Sequence, residues 1–130
     1  MKIKSAQPRK KRKFLYTAPL HARRKMMAAH LSKELGTKYK TRSFPLRKGD
    51  EVELMRGKFK GKKGKVSSVD YKNYKIYVEG VSRKRTAGTE TQIAIHPSKV
   101  RIFNLDLADK KRLKSMERRM KKEEKKEGKK

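Results

Sequence analysis

Apolar and polar positions alternate most clearly over Glu51-Val52-Glu53-Leu54, where every second residue is aliphatic and the others are charged. That two-residue period is what a β-strand with one buried face requires. Val66 with Val69, Ile76 with Val78, Ile93 with Ile95, and Val100 with Ile102 and Asn104 predict four further short strands. Asp70-Tyr71-Lys72-Asn73 separates the second from the third and reads as a hairpin turn, because Asp and Asn tolerate turn geometry. The third and fourth are separated by SRKRTAGTE, a basic loop with Gly88 near its bend. Earlier in the chain the period changes. Leu20, Met27, Leu31 and Leu35 recur at helical spacing in a run of good helix formers, with Gly36 offering a stop, which predicts a short amphipathic helix. Residues 37–46 read as an extended connector. Near the end, Leu113, Met116 and Met120 predict a helix with one narrow apolar stripe, ahead of the low-complexity KKEEKKEGKK, expected to be frayed or without structure.

Five short strands in so few residues imply a mainly β fold, a small SH3-like five-stranded barrel, since closing the sheet hides its edges around one row of Val, Leu and Ile. The expected division is a basic arm and helix over 1–43, the barrel over 44–105 and a charged helical tail over 106–130.

Composition decides the kind of partner. With 41 Lys and Arg against 13 Asp and Glu, the chain carries +28 on 130 residues. Such a field attracts polyanions and releases their counterions, so nucleic acid is the expected partner and binding should depend steeply on salt. Residues 1–33 hold eleven cations and no acid, five of them consecutive in Arg9, Lys10, Lys11, Arg12 and Lys13. Within it, residues 2–13 should be disordered in the isolated chain and order on binding, although Arg9 to Lys13 also suit a nuclear-localisation patch. His21, Arg23, Arg24 and Lys25 continue the basic surface on the predicted helix.

The stretch from Lys48 to Asp70 concentrates the candidate chemistry. Between its two predicted strands lie Gly57, Gly61 and Gly64, which permit tight turns and close approach of a polynucleotide backbone. Arg56, Lys58, Lys60, Lys62, Lys63 and Lys65 supply charge, and Phe59 a flat face for a base or ribose. A Gly/Lys loop taken alone is as often a solvated hairpin; the overall charge and the basic first third tip this one toward RNA. Arg83, Lys84 and Arg85 in the next loop, with His96 and Lys99, complete the expected RNA-binding set.

Other chemistries find little support. There is no cysteine, and the three histidines are too scattered to form a metal centre, so neither metal nor cofactor is expected. Asp50, Glu51 and Glu53 suggest an acid-base or metal site only at first sight, since strand alternation turns both glutamates to solvent beside lysines. A barrel this small leaves little concave volume for catalysis, so no enzyme is expected. With no long apolar run and no secretory signal, a cytoplasmic location is expected.

The order Gly49-Asp50-x-Val52-x-Leu54-x-Arg56-Gly57-x-x-Lys60-Gly61-x-x-Gly64-x-Val66 resembles the KOW motif of ribosomal and transcription-elongation proteins. With APLHARRKMMAAHLSKEL and IHPSKV, the resemblance spans most of residues 7–104 and is to the large-subunit ribosomal protein numbered twenty-four in bacteria and twenty-six in eukaryotes, in its archaeal-like branch. It implies a monomeric constituent of the cytoplasmic large ribosomal subunit that binds the 5′ domain of the large rRNA, supports early assembly and lies near the peptide exit tunnel beside other ribosomal proteins. The C-terminal tail is shorter than in eukaryotic relatives, so tail contacts do not carry over. An elongation module would bring an α/β domain before the barrel, for which residues 1–43 are too short and too basic, and a membrane-surface protein would need a broader apolar helix face.

Overall fold

The computed structural model describes residues 5–127, with side chains as far as residue 120. Its centre is a six-stranded sheet in the order β2-β1-β8-β3-β4-β5, formed by β1 Ala28–Leu31, β2 Ser43–Pro45, β3 Glu51–Leu54, β4 Lys63–Asp70, β5 Lys75–Val78 and β8 Val100–Asn104. Neighbours are antiparallel except β1 and β8, which run parallel. β4 is shared end to end: residues 63–65 pair with β3 and residues 66–70 with β5, so the sheet turns along this strand. A separate hairpin joins β6 Ser82–Lys84 to β7 Glu90–Gln92. Four α-helices complete the described residues: α1 Pro8–Thr17, α2 Leu20–Met26, α3 Lys33–Lys38 and α4 Lys110–Glu127.

Glu51–Leu54 behaves as its alternation requires, with Val52 and Leu54 buried in one continuous core beside Val66, Ile76, Val100 and Ile102. Glu51 and Glu53 face outward, Glu53 2.9 Å from Arg101. The Asp70 turn also forms as expected, since its carboxylate accepts from the Lys72 and Asn73 backbone N–H groups and from Asn73 Nδ2. These bonds, the Asn73 side chain foremost, hold the Asp70 carboxyl below its ordinary range.

Four expectations are corrected. The helix expected over Leu20 to Leu35 is broken in the middle: Ala28–Leu31 is a strand, Leu46 N donates to Met27 O at 2.9 Å, and Ser32 N to Ile102 O at 2.8 Å. Sheet pairing on both sides outweighs the helix propensity of Met and Ala, and Gly36 falls inside α3 instead of ending a helix. The fourth strand is Glu90–Gln92, part of a hairpin with Ser82–Lys84 where one basic loop was expected, while Ile95 makes only an isolated bridge to Ile76. Residues 8–17 form a helix in place of an unstructured arm, though none of its residues is buried. The tail was expected to lie apart from any core, yet α4 carries Met116 into the core and Arg112 beneath it, and its helix continues to Glu127 through most of KKEEKKEGKK. Residues 2–4 of the arm and 128–130 of the tail lie outside the described residues.

Asp50 and Arg112 make the seam between α4 and the sheet. Arg112 Nη1 donates to Asp50 Oδ1 at 2.6 Å and Nη2 to Oδ2 at 2.7 Å, with Asp50 fully buried and Arg112 3% exposed. The same carboxylate accepts from the backbone N–H of Arg47 and of Asp106, and the guanidinium also donates to the Asp106 and Pro45 carbonyls. A bidentate pair with most of its remaining lone pairs and protons satisfied is the geometry in which attraction can offset desolvation.

Candidate nucleic-acid interface

The loop between β3 and β4 closes by Leu54 N donating to Lys62 O at 3.0 Å and Gly61 N to Leu54 O at 2.7 Å. Gly57 and Gly61 lie at φ +95° and +82°, where L side chains are strained, and a Cβ at either would meet nothing within 4 Å. Both glycines therefore serve the turn and leave its outer surface open. Gly64 is needed for another reason, since a Cβ there would lie 2.7 Å from the Glu79 carbonyl oxygen; the glycine admits the neighbouring strand of this same chain.

The cations of this loop divide into two groups. Arg56, Lys58 and Lys60 are exposed and have no side-chain partner among the described residues. Lys62 folds back, its Nζ donating to Gly80 O and lying 5.9 Å from the Phe59 ring. Lys63 sits 4.3 Å over Phe103, and Lys65 Nζ is 4.0 Å from Glu51. Phe59 is half-buried against the core, so it does not present the open face the sequence suggested.

The contact of Lys62 with Gly80 sets this loop beside the β5–β6 turn, and so beside the hairpin bearing Arg83, Lys84 and Arg85, all exposed. Met55 N donates to Lys99 O at 2.8 Å, which brings the 3-10 turn Pro97–Lys99 to the same end. His96 caps that turn, its Nδ1 accepting from Ser98 N at 3.2 Å. Burial first, and then the Lys75 and Lys99 charges, hold the imidazole below its ordinary value.

The remaining candidates stand elsewhere. Arg9, Lys10, Lys11, Arg12 and Lys13 are exposed on α1. Arg23, expected to meet phosphates, is turned inward: it donates to Ala18 O at 2.8 Å, Tyr16 O at 2.6 Å and Lys72 O at 3.2 Å. Tyr74 Oη donates to Leu15 O at 2.9 Å, so α1 is bound to the β4–β5 turn. That turn and the glycine loop are at opposite ends of the eight-residue β4, whose ends are at most about 23 Å apart at strand rise. The candidate residues thus fall on two separate basic surfaces. His21, Arg24 and Lys25 are exposed on α2 and line a groove that α4 closes from the other side. Arg47 before β3 also lines it, as do Lys111 and Arg119 on α4, which the sequence did not single out because a tail with interleaved acids reads as solvated.

Among the described residues no group of His, Cys, Asp and Glu could hold a metal ion, and no helix is long and apolar enough to cross a membrane. What the two surfaces offer is fixed positive charge.

The sequence profile of the ribosomal proteins known as L26 in eukaryotes, together with their archaeal L24 counterparts, matches residues 5–119. The chain belongs to that family. It is 50% identical over 119 residues to the large ribosomal subunit protein uL24 of Korarchaeum cryptofilum (strain OPF8), covering 92% of this chain and 91% of that protein. This chain is accordingly a ribosomal protein, a constituent of the ribonucleoprotein machinery of translation and not an enzyme.

Proposed function

We propose that this protein is a structural constituent of the large subunit of the cytoplasmic ribosome, where it binds the 5′ domain of the large rRNA, supports early assembly and lies near the peptide exit tunnel beside other ribosomal proteins. The observation that carries the reading is the charge of Arg56, Lys58 and Lys60, unpaired among the described residues, on a turn whose glycines leave its outer surface open, next to a second exposed basic hairpin. Unpaired cations held close together repel one another, and phosphates relieve that repulsion. The turning of the sheet along β4 supports a small SH3-like KOW barrel over residues 44–105, to which the basic segment 1–43 adds the strand Ala28–Leu31 and the segment 106–130 adds α4. RNA helices are read mainly through phosphates and 2′-hydroxyls, which suits recognition of folded shape. With no buried residue, α1 gains little from packing, so rRNA phosphates would fix it between RNA helices.

The test is binding of the full chain to a 5′-domain rRNA transcript across a salt series. Changing Arg56, Lys58 and Lys60 together to Gln should flatten the dependence of log affinity on log salt by about 2, at roughly 0.7 to 0.9 for each phosphate no longer neutralised. An unchanged slope removes this turn from the contact surface.

A further inference from the structure

The faces of α2 and α4 that look across at one another enclose a groove of about 660 Å³. Its α2 wall carries His21, Arg24 and Lys25, and its α4 wall Lys111, Ser115 and Arg119, which at four-residue spacing share one helix face. No acid lines it. We infer that this groove is a second RNA site, which takes a short single-stranded segment with phosphates on its two cationic walls and a base against the Arg119 guanidinium. The inference rests on the rRNA-binding reading above and adds to it a site with its own ligand class.

Arg119 is the residue that separates this groove from a merely charged surface. Its Nη1 donates to Ser43 O at 3.1 Å and its guanidinium lies 4.9 Å from the centroid of Phe44. Held by a carbonyl and an aromatic ring, the planar group loses little freedom when a base stacks on it, and Arg planes serve as stacking platforms for unpaired bases. Beneath it Arg112 lies 5.4 Å from the same ring and locks α4 to the sheet through Asp50, so the α4 wall is anchored at its base. Charge complementarity alone also admits an acidic peptide. A peptide helix would need a row of apolar pockets, but Phe44 is 4% exposed and only Leu20, at 67%, offers an open aliphatic side chain along the groove. Bases need flat faces in place of deep pockets, and the Arg119 plane and the His21 ring are of that kind.

The test uses the full chain and a 5′-domain rRNA transcript substituted with 4-thiouridine. Crosslinks should map to peptides from residues 20–25 and 111–119 as well as to the two basic hairpins. Hexauridylate should displace the groove crosslinks at less than a tenth of the concentration at which hexaglutamate does. Arg24→Gln/Lys25→Gln/Arg119→Gln should flatten the salt slope by about 2, and Arg24→Gln/Lys25→Gln, which leaves the Ser43 and Phe44 contacts intact, by about 1.4 at roughly 0.7 per single-strand phosphate contact. Crosslinks confined to the hairpins, with both groove variants at the wild-type slope, overturn the groove site and leave the RNA reading standing. Equal displacement by hexaglutamate overturns it in favour of an acidic protein segment. A wild-type chain that binds the transcript nowhere defeats the underlying reading as well.

Discussion

On the β3–β4 loop, Arg56, Lys58 and Lys60 stand in solvent without a partner in the described chain, whereas at the α4 seam Arg112 is buried and makes four hydrogen bonds to Asp50, Asp106 and Pro45. The same residue class does opposite work in the two places. At the seam a cation is neutralised by the fold and becomes part of the core. On the loop, charge is left over, which the proposed RNA contact would neutralise from outside the chain. In a protein at +28, what marks a candidate interface is therefore the cations without a partner among the described residues, not the cations as a class.

That contrast predicts its largest effect at the seam. Arg112→Met leaves the Asp50 carboxylate buried with two backbone N–H donors and no counter-charge, and losing one partner of a buried pair costs about 3–5 kcal/mol. Small domains are stable by roughly 5–15 kcal/mol, so urea denaturation should show a severe drop in midpoint. Adding Asp50→Leu to Arg112→Met should recover only part of it, because the apolar pair removes the uncompensated ion but leaves the Arg47 and Asp106 N–H groups without their acceptor. A single variant as stable as wild type would make the seam a surface contact and erase the contrast with the loop.

Gly64→Ala comes next. The added Cβ meets backbone at 2.7 Å, where no side chain can swing away, so β4 must shift against β5 and overpacking of this kind costs about 1–3 kcal/mol. Gly61→Ala meets no atom and should lose only the cost of its positive φ, about 1 kcal/mol for a non-glycine residue there. Equal losses in urea would mean that Gly64, like Gly61, is present for the turn alone.

Much of the sheet was legible, and the limits have physical causes. Glu51–Leu54 and Lys75–Val78 were readable because a strand with one buried face writes a two-residue period into the sequence. Ala28–Leu31 carries the same mark, since Met27, Ala29 and Leu31 are buried at every second position, but Met and Ala also favour helices and the longer helical spacing masked it. The β6–β7 hairpin left no trace, having scarcely a buried side chain on either strand. Asp50 and Arg112 are separated by 62 positions, and nothing local announces that an aspartate in a basic motif will be fully buried. For the candidate interface, residue type was legible and partners were not: the bonds of Arg23 and Lys62 to carbonyls elsewhere in the fold, and the place of Lys111 and Arg119 on a groove wall, leave no local mark.

Arg23 carries the contrast to a smaller scale, because it is a sequence-chosen RNA contact whose geometry belongs with the seam. Arg23→Gln should remove the bonds to Tyr16 and Lys72 that hold α1 on the β4–β5 turn, at about 1 kcal/mol for a partly solvated charged donor. Its main sign should be faster tryptic cleavage within residues 9–13, with the urea midpoint little changed. Protease resistance equal to wild type would show that α1 is held by other means.

The smallest effect concerns Asp109, which precedes α4 and pairs with Arg47 at the rim of the same seam. The Arg47 hydrogen bond, followed by that from the Lys111 backbone N–H, lowers this carboxyl from its ordinary value of 3.8. A depressed folded-state pKa means that the unfolded chain takes up the proton first as pH falls. The contribution is therefore complete above the unfolded value and is lost as pH drops from about 3.8 toward the lower folded value. Wild type and Asp109→Asn should differ in thermal midpoint near neutral pH by a small, salt-sensitive amount, since exposed pairs are screened. The two curves should converge below pH 3.8. A difference that persists unchanged into that range would mean that Asp109 acts through helix capping and hydrogen bonding alone, and the seam's charge pairing would end at Asp50 and Arg112.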